Sequence, residues 1–240
     1  MHRLLVRSDL LNEDSPTLPA DAARHLKVLR PKDGEEIELF DGRGKWRVYE
    51  FCSSALRAAS QTFQASRTSR TLTLFACVTK GSRWDWTVEK ATELGVTRIV
   101  PVISERTIVR IPKGERAAKR ERWMRIAEDA ARQSDAKWLP EICEAVDFKD
   151  ALSLVKETTC FIGALTNPPP RPLAKAVEDF RRETGDLKGV SAFIGPEGDF
   201  TPEELAALME IAIPTSFGPT ILRAETAAIY AVSVLAATMS

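Results

Sequence analysis

Apolar and polar positions follow two different patterns along the chain. Short strand-like runs dominate the first part, at Met1–Val6, Glu36–Phe40, Trp46–Phe51 and, more weakly, Thr62–Ala65, with one short helix predicted over Ala20–Leu29. The turn Asp41-Gly42-Arg43-Gly44 between two of these runs is typical of a β-hairpin. The pattern predicts a small, mostly β domain over residues 1–70.

From Thr71 onwards, strand-like and helix-like segments alternate. The predicted strands are Leu72–Val78, Arg98–Ile103, Thr159–Leu165, Val190–Ile194 and Thr215–Phe217, and the predicted helices are Trp84–Leu94, Arg116–Ser134, Leu173–Arg182, Pro202–Met209 and Ala224–Thr238. Such alternation favours a parallel sheet with helices on both faces. We therefore predict a second, α/β domain over residues 71–240, with ligands bound at the carboxyl ends of its strands.

A glycine turn lies at one of these strand ends, in the segment FIGPEGDFTPEEL that starts at Phe193. After the turn, Thr201 is predicted to cap a helix, with Pro202 at its first position and Glu204 completing a capping box. Pro196 removes an amide donor from the turn, and Glu197 places a negative charge where a phosphate would be repelled. The turn therefore suits a cationic or neutral ligand. Walker and dinucleotide-binding glycine loops are absent from the sequence.

A second glycine turn, FGPTIL from Phe217, leads through Arg223-Ala224-Glu225-Thr226 into an almost wholly apolar C-terminal helix. A helix that is apolar on all sides is buried on all sides. Burial against a second subunit is one interpretation, and burial in the core of a single chain is the other.

Composition narrows the class of protein. Lys and Arg equal Asp and Glu at 34 each, so a global electrostatic attraction to nucleic acid is excluded. With 2 histidines and 4 scattered cysteines, the sequence offers no metal site and no disulfide framework. No apolar run approaches the roughly 18–20 residues of a membrane span. We therefore expect a cytoplasmic protein with no bound metal and no membrane partner.

The neutral total hides one basic segment. Arg98 to Arg125 contains 9 Lys or Arg against 3 Glu. RNA phosphates are the partner that this excess predicts, and a solvated charged face is the alternative. The candidate RNA-binding residues are Arg106, Arg110, Arg116, Lys119 and Arg120, together with Arg24 and Arg30 of the first domain.

Six segments together resemble the RsmE-type small-subunit ribosomal RNA uridine N3-methyltransferases of the SPOUT superfamily. They are HLKVLRPKDGEEIELFDGRG from His25, KGSRWDWTVEKATELGV from Lys80, ISERTIVR from Ile103, AEDAARQS from Ala127, IGPEGDFTPEEL from Ile194 and FGPTILRAETAAIYAV from Phe217. The resemblance implies a PUA-like β-barrel that binds RNA, followed by a methyltransferase domain with a C-terminal trefoil knot. It also implies S-adenosylmethionine as cofactor, a homodimer, and one uridine of small-subunit ribosomal RNA, free or in the assembled subunit, as substrate.

The same resemblance assigns the candidate site residues. It implies a cofactor site made of Leu165, Thr166, Gly195, Pro196, Glu197, Gly198, Gly218, Ile221, Leu222 and Thr226. Since N3 of uracil must lose a proton before it attacks, a base or a stabilising cation is required, and Glu225 and Arg223 are the candidates. The alternatives are favourable placement of Glu225 in the first turn of a helix and a structural ion pair for Arg223.

Asp199 departs from the pattern of that family, which has a second glycine at this position. Asp tolerates a left-handed backbone better than most residues do. We expect its carboxylate to face solvent as a second cap for the following helix, and contact with a cofactor ribose is the alternative.

Two other classes of function stay open at this point. The chain could be a non-catalytic RNA-binding protein whose methyltransferase domain has decayed, although intact GPEG and ILRAET segments argue against this. It could also be an α/β enzyme that acts on a small metabolite, which the basic segment and the β domain make less favourable.

Overall fold

The computed structural model describes residues 1–67, 69–155, 158–164, 166, 168–185 and 189–239, with Met239 described by its backbone only. The chain forms two compact units, one made of Met1–Thr68 with Glu128–Leu139 and the other of Ser69–Ala127 with Pro140–Ser240. Among the described residues, no helix combines the length and the apolar character that crossing a membrane requires.

The first unit is built on a five-stranded mixed sheet. Its strands are β1 (His2–Leu5), β2 (Glu36–Phe40), β3 (Lys45–Cys52), β4 (Ala55–Ala58) and β5 (Phe63–Gln64), and its helix is α1 (Ala20–Leu29). Strand β2 pairs in parallel with β1 and antiparallel with β3, which also pairs with β4 and β5. The predicted hairpin is therefore present, and β4 is a strand that the sequence pattern did not indicate.

A buried acidic residue lies in the sheet of this unit. Glu38 is 1% exposed, and its carboxylate accepts hydrogen bonds from Nε of Arg3 at 2.8 Å and from Nζ of Lys137 at 2.6 Å. Because an unpaired buried charge is costly, these two partners are what allow a carboxylate at this position. Lys137 lies in the segment Glu128–Leu139, which belongs to this unit although it is distant in sequence from the sheet.

The second unit contains the alternating elements. Its strands are β6 (Thr71–Cys77), β7 (Arg98–Ile103), β8 (Glu141–Ile142), β9 (Val146–Asp147), β10 (Thr159–Gly163), β11 (Gly189–Ile194) and β12 (Ala212–Thr215). Its helices are α2 (Ser82–Glu93), the larger part of α3 (Arg116–Ser134), α4 (Phe148–Val155), α5 (Leu173–Thr184), α6 (Pro202–Met209) and α7 (Ala224–Met239).

All strand pairs of this sheet are parallel. The strand order is β12-β10-β11-β6-β7-β8, and β9 also pairs with β7. Side chains alternate along β6, so that Leu72 and Leu74 pack in one core with α2, α3, α5 and α7, while Phe75 and Cys77 pack in the other with α4 and α6. The predicted α/β fold class, with a parallel sheet covered on both faces, is confirmed. A trefoil knot stays a prediction.

Two differences from the predicted elements have physical explanations. The last strand lies at Ala212–Thr215, three residues before the predicted Thr215–Phe217, and it contains Pro214. Proline weakens a strand pattern and is tolerated here because β12 is the edge strand. Helix α4 was not predicted because, unlike α6 of the same length, its start carries no Thr-Pro-x-Glu signal in the sequence.

Candidate active site

The turn after β11 is fixed by the helix that follows it. The amide of Glu204 donates to Oγ1 of Thr201 at 3.2 Å, and the amide of Thr201 donates to Oε2 of Glu204 at 3.1 Å. This is the predicted capping box, with Pro202 starting the helix. Oε1 of Glu204 also accepts the amide of Glu105, so the same side chain ties the turn to the loop after β7.

We expect Thr201→Ala to lower the free energy of unfolding by about 1 kcal/mol, because it removes one partner of the capping box. Chemical denaturation of the purified protein measures this change. Thr201→Ser keeps the hydroxyl group and serves as the matched control, with stability near that of the wild type. Equal stability of the alanine and serine variants would show that the box does not hold the turn.

A cavity of about 920 Å³ lies where three parallel strands end. Gly163 and Ala164 line it from the end of β10, Ile194 to Glu197 from the end of β11, and Ser216 to Gly218 from the segment after β12. Apolar walls come from Leu205, Leu222 and Ala227. The cavity thus occupies the strand-end position that the sequence predicts for a ligand.

Charged groups of both signs line this cavity. Nη1 of Arg83, in the first turn of α2, lies 3.3 Å from Oε1 of Glu197, and both residues are among the lining. The negative charge of Glu197 is therefore paired within the chain. Arg83 is a lining residue that sequence reasoning missed, although its place in KGSRWDW, six residues after the end of β6, is a usable signal.

Asp199 also lines the cavity, and its backbone has the predicted left-handed conformation, with φ at 60°. Its Oδ1 accepts the amide of Phe200 at 2.7 Å. Because Phe200 precedes the helix cap, this carboxylate stabilises the turn itself and does not cap a helical amide. Asp199 is exposed and lines the cavity, and its contact with a cofactor ribose stays a prediction.

The turn is anchored from two further sides. Nη1 of Arg106 donates to the carbonyl oxygens of Gly198 at 3.1 Å and Phe200 at 3.3 Å. The Phe200 ring is 6% exposed and packs against Phe193 and Phe148 at centroid distances of 5.6 and 5.7 Å. These contacts support the turn from both sides, as the positioning of a binding site requires.

The segment after β12 forms the opposite wall. The amide of Gly218 donates to Oγ of Ser216 at 3.3 Å, and Gly218 has φ at 125°, a conformation that favours glycine. The Phe217 ring lies directly against Gly163, where an added Cβ atom would be 2.8 Å from the ring. A side chain at position 163 would therefore clash with the Phe217 ring. The sequence pattern did not reveal this contact.

The two candidate catalytic residues lie at the start of α7. Arg223 is exposed and lines the cavity, and its carbonyl oxygen accepts the amide of Ala227 at 2.8 Å. Glu225 is 9% exposed, and its Oε2 has no hydrogen-bond partner among the described residues. Arg223 forms no ion pair among the described residues, so the structural alternative for that residue gains no support.

The structure brings together most of the residues assigned by resemblance. Gly195, Pro196, Glu197, Gly218, Ile221 and Leu222 line the main cavity together with Arg223. Thr226 lines a neighbouring cavity instead, and Gly198 is held by Arg106. The exposed Thr166 donates to the carbonyl oxygen of Pro168 at 2.9 Å and is outside the lining. Leu165 lies outside the described residues. The role of each residue stays a prediction.

All four candidate RNA-binding arginines in the second unit contact protein groups. Nη2 of Arg116 lies 2.5 Å from Oδ1 of Asp147, and Nε of Arg120 donates to the carbonyl oxygen of Ile142 at 2.7 Å. Arg106 and Arg110 donate to backbone carbonyls of the loops around them. Lys119 is half-buried, and Arg24 and Arg30 are exposed on and just after α1. These contacts give four of the arginines structural roles, and RNA binding by the set stays a prediction.

Cysteine chemistry does not contribute a nucleophile near the main cavity. Burial raises the pKa of Cys160, on β10, to about 12 and that of Cys77, on β6, to about 11. Because the thiolate is the reactive form, both groups are unreactive at neutral pH. The chemistry available at the strand ends is therefore that of arginines, carboxylates and backbone groups.

Comparisons with known proteins place these features in a family. A family model described as an RNA methyltransferase domain matches residues 66–236, and one described as an RNA methyltransferase PUA domain matches residues 18–51. The ribosomal RNA small subunit methyltransferase E of Bacillus subtilis is 28% identical over 235 residues, covering 93% of this chain and 91% of that protein. That of Aquifex aeolicus is 30% identical, covering 88% of this chain and 90% of that protein.

Solved structures agree with these sequence relatives. A putative methyltransferase from Legionella pneumophila, in complex with its bound cofactor SAM, is 29% identical with a TM-score of 0.82, covering 99% of this chain and 98% of that one. A ribosomal RNA small subunit methyltransferase E from Neisseria gonorrhoeae, bound to S-adenosyl methionine, is 28% identical with a TM-score of 0.80 and the same coverage.

Proposed function

The chain belongs to the RNA methyltransferase domain family, and from that premise we propose that it transfers the methyl group of S-adenosylmethionine to N3 of one uridine in small-subunit ribosomal RNA. The observation that carries the proposal is the cavity at the ends of β10, β11 and β12, which shares Arg223 with a neighbouring cavity that contains Glu225. A cofactor site thus adjoins a place for the substrate.

The residues of the main cavity fit this cofactor. Its volume of about 920 Å³ lies within the range of small-molecule sites, roughly 300–1,000 Å³. Carboxylates at Glu197 and Asp199 complement a sulfonium or ammonium group, and the guanidinium group of Arg83 complements a carboxylate. Ile194, Leu205 and Phe217 supply apolar walls for a base. Because Glu197 is already paired with Arg83, the cavity suits a zwitterionic ligand better than a simple cation.

When bound, the cofactor would supply an electrophilic methyl group, with sulfur as the leaving group. The protein must align N3 of the uracil with that carbon and exclude water. We assign Arg223 to the uracil oxygens, where negative charge develops as N3 loses its proton. We assign Glu225 to the proton, because its carboxyl group has an unsatisfied oxygen at the same helix start.

The remaining parts of the proposal concern the whole protein. We propose that residues 1–70 form the RNA-binding domain and residues 71–240 the methyltransferase domain with its knot. We also propose a cytoplasmic homodimer. Half-buried apolar residues of α7, among them Ile229, Tyr230 and Val234, support a second subunit, because α7 is buried on only part of its surface within one chain.

We expect the purified protein to transfer labelled methyl groups to small ribosomal subunits that lack the modification. Comparing assembled subunits, naked small-subunit RNA and free uridine in one assay identifies the substrate. Methylation of free uridine at an equal rate would favour an enzyme of small metabolites. Failure to bind S-adenosylmethionine by calorimetry would favour a non-catalytic RNA-binding protein.

A further inference from the structure

A second cavity, of about 590 Å³, adjoins the main one. The first two turns of α2 contribute Ser82, Arg83, Asp85, Trp86 and Glu89, and the start of α7 contributes Arg223, Glu225 and Thr226. Arg83 and Arg223 line both cavities. A ligand in the second cavity is therefore next to a ligand in the main one.

Helix α2 presents an unusual residue to this cavity. Ser82, Asp85, Trp86 and Glu89 share one side of the helix, while Trp84, Val88 and Ala91 face the core. The Trp86 side chain is 41% exposed on the polar side, so core packing does not explain it. A half-exposed indole beside charged groups offers a flat surface on which a nucleobase stacks.

Unsatisfied acceptors also lie in the wall of this cavity. Oε2 of Glu225, a residue that is 9% exposed, and Oδ1 of Asp85 are both buried without a hydrogen-bond partner among the described residues. Oδ2 of Asp85 is bound to Arg122. Because buried acceptors are costly when unsatisfied, the two free oxygens indicate a ligand that brings N–H or O–H donors.

The kinds of polar group that line this cavity match the groups along one base edge. Uracil presents a carbonyl oxygen, the N3–H group and a second carbonyl oxygen along one edge, which is an acceptor, a donor and an acceptor. Arg83 and Arg223 supply donors, and the Glu225 carboxyl group supplies an acceptor. Cytosine presents an acceptor at N3 and would place it against the carboxylate.

We infer that the second cavity binds the flipped-out target base, with Trp86 as its stacking surface and with Glu225, Arg83 and Arg223 reading its N3 edge. The inference rests on the proposed function, which requires N3 of a uridine to reach the cofactor. Extruded bases are commonly read in this way, by stacking and by hydrogen bonds to the pairing edge.

With this assignment, each bond that forms or breaks in the reaction can be placed at a named group. The N3–H bond breaks and its proton goes to the Glu225 carboxylate, while the N3 electron pair forms the new bond to the methyl carbon. The carbon–sulfur bond breaks and its electrons stay on sulfur. The ion pair with Glu197 fixes Arg83 from the cofactor side, so the cofactor turn and the base pocket are positioned by one side chain.

Replacement of Trp86 tests this inference. We expect Trp86→Leu to lower kcat/KM for the RNA substrate by about 10- to 100-fold, in line with the loss of one stacked base, with the affinity for S-adenosylmethionine unchanged. Trp86→Phe should restore most of the activity, since it keeps an aromatic face. Glu93→Gln, an exposed site in the last turn of α2 outside both cavities, is the control and should behave as the wild type.

A second measurement does not depend on turnover. With the demethylated cofactor product bound, a short uridine-containing single-stranded RNA should quench tryptophan fluorescence more than its cytidine counterpart, and Trp86→Phe should abolish the difference. Equal quenching by the two RNAs, or full activity of Trp86→Leu, would overturn the inference. Loss of activity together with a change of oligomeric state in sedimentation would also overturn it, by assigning Trp86 to a subunit contact. Absence of transfer by the wild type, with quenching retained, would contradict the proposed function alone.

Discussion

Replacing Arg223 with alanine is expected to lower the rate of methyl transfer by about 10²- to 10³-fold, the loss typical of one group that stabilises charge in a transition state. Arg223 is exposed at the start of α7, between the two cavities, with its guanidinium group available to a ligand. Deprotonation of N3 spreads negative charge over the flanking oxygens, and removal of the cation makes that step less favourable. Single-turnover kinetics with saturating cofactor measures the effect.

Three controls make the result specific. Calorimetry should show that Arg223→Ala still binds S-adenosylmethionine, because most of the cavity lining is unchanged. Arg223→Lys should retain part of the rate, because it keeps a positive charge. The residual activity of the alanine variant should rise with pH, because without the cation N3 loses its proton only at higher pH. Wild-type turnover in Arg223→Ala would remove this residue from the mechanism.

The second large effect is expected in cofactor affinity. Gly163→Ala places a Cβ atom 2.8 Å from Cε2 of Phe217, and that ring lies against Tyr230 with a centroid distance of 5.5 Å. The ring cannot shift without disturbing α7 or entering the cavity. Overpacking of this kind costs about 1–3 kcal/mol. If the cost destabilises the cofactor-bound protein and not the free protein, it corresponds to a loss of roughly 5- to 150-fold in affinity.

Calorimetry with S-adenosylmethionine measures this loss, and thermal denaturation shows how much of the cost falls on folding instead. Gly114→Ala is the matched control, because a Cβ atom there meets nothing within 4 Å and the backbone is not left-handed. An unchanged affinity in Gly163→Ala would mean that the wall formed by Phe217 does not contact the cofactor.

Most helices and strands are predictable from the sequence, because their apolar positions follow the helical or strand period and are the positions that face the core. Helices α1, α3 and α6 begin and end where the pattern places them. The capping box at Thr201 is predictable for the same reason, since all of its partners are local in sequence. Strand β12 is harder to predict because Pro214 interrupts its strand pattern, and helix α4 because no capping box or first-position proline marks its start.

The site is only partly predictable, since its remaining features depend on contacts between distant segments. The charge of Glu197 disfavours a phosphate on sequence grounds, but its pairing with Arg83 joins residues more than 100 positions apart. The contact of Gly163 with Phe217 is likewise non-local. The excess charge of the basic segment predicts contacts with RNA, whereas in the structure Arg116 and Arg120 bind Asp147 and the carbonyl oxygen of Ile142.

Mass spectrometry of small-subunit ribosomal RNA from cells that lack this protein tests the central claim most directly. The account predicts that one N3-methyluridine disappears, that the wild-type gene restores it, and that a gene encoding Arg223→Ala does not. An unchanged set of methylated nucleosides, or the loss of a methyl group from another base or position, would contradict the account.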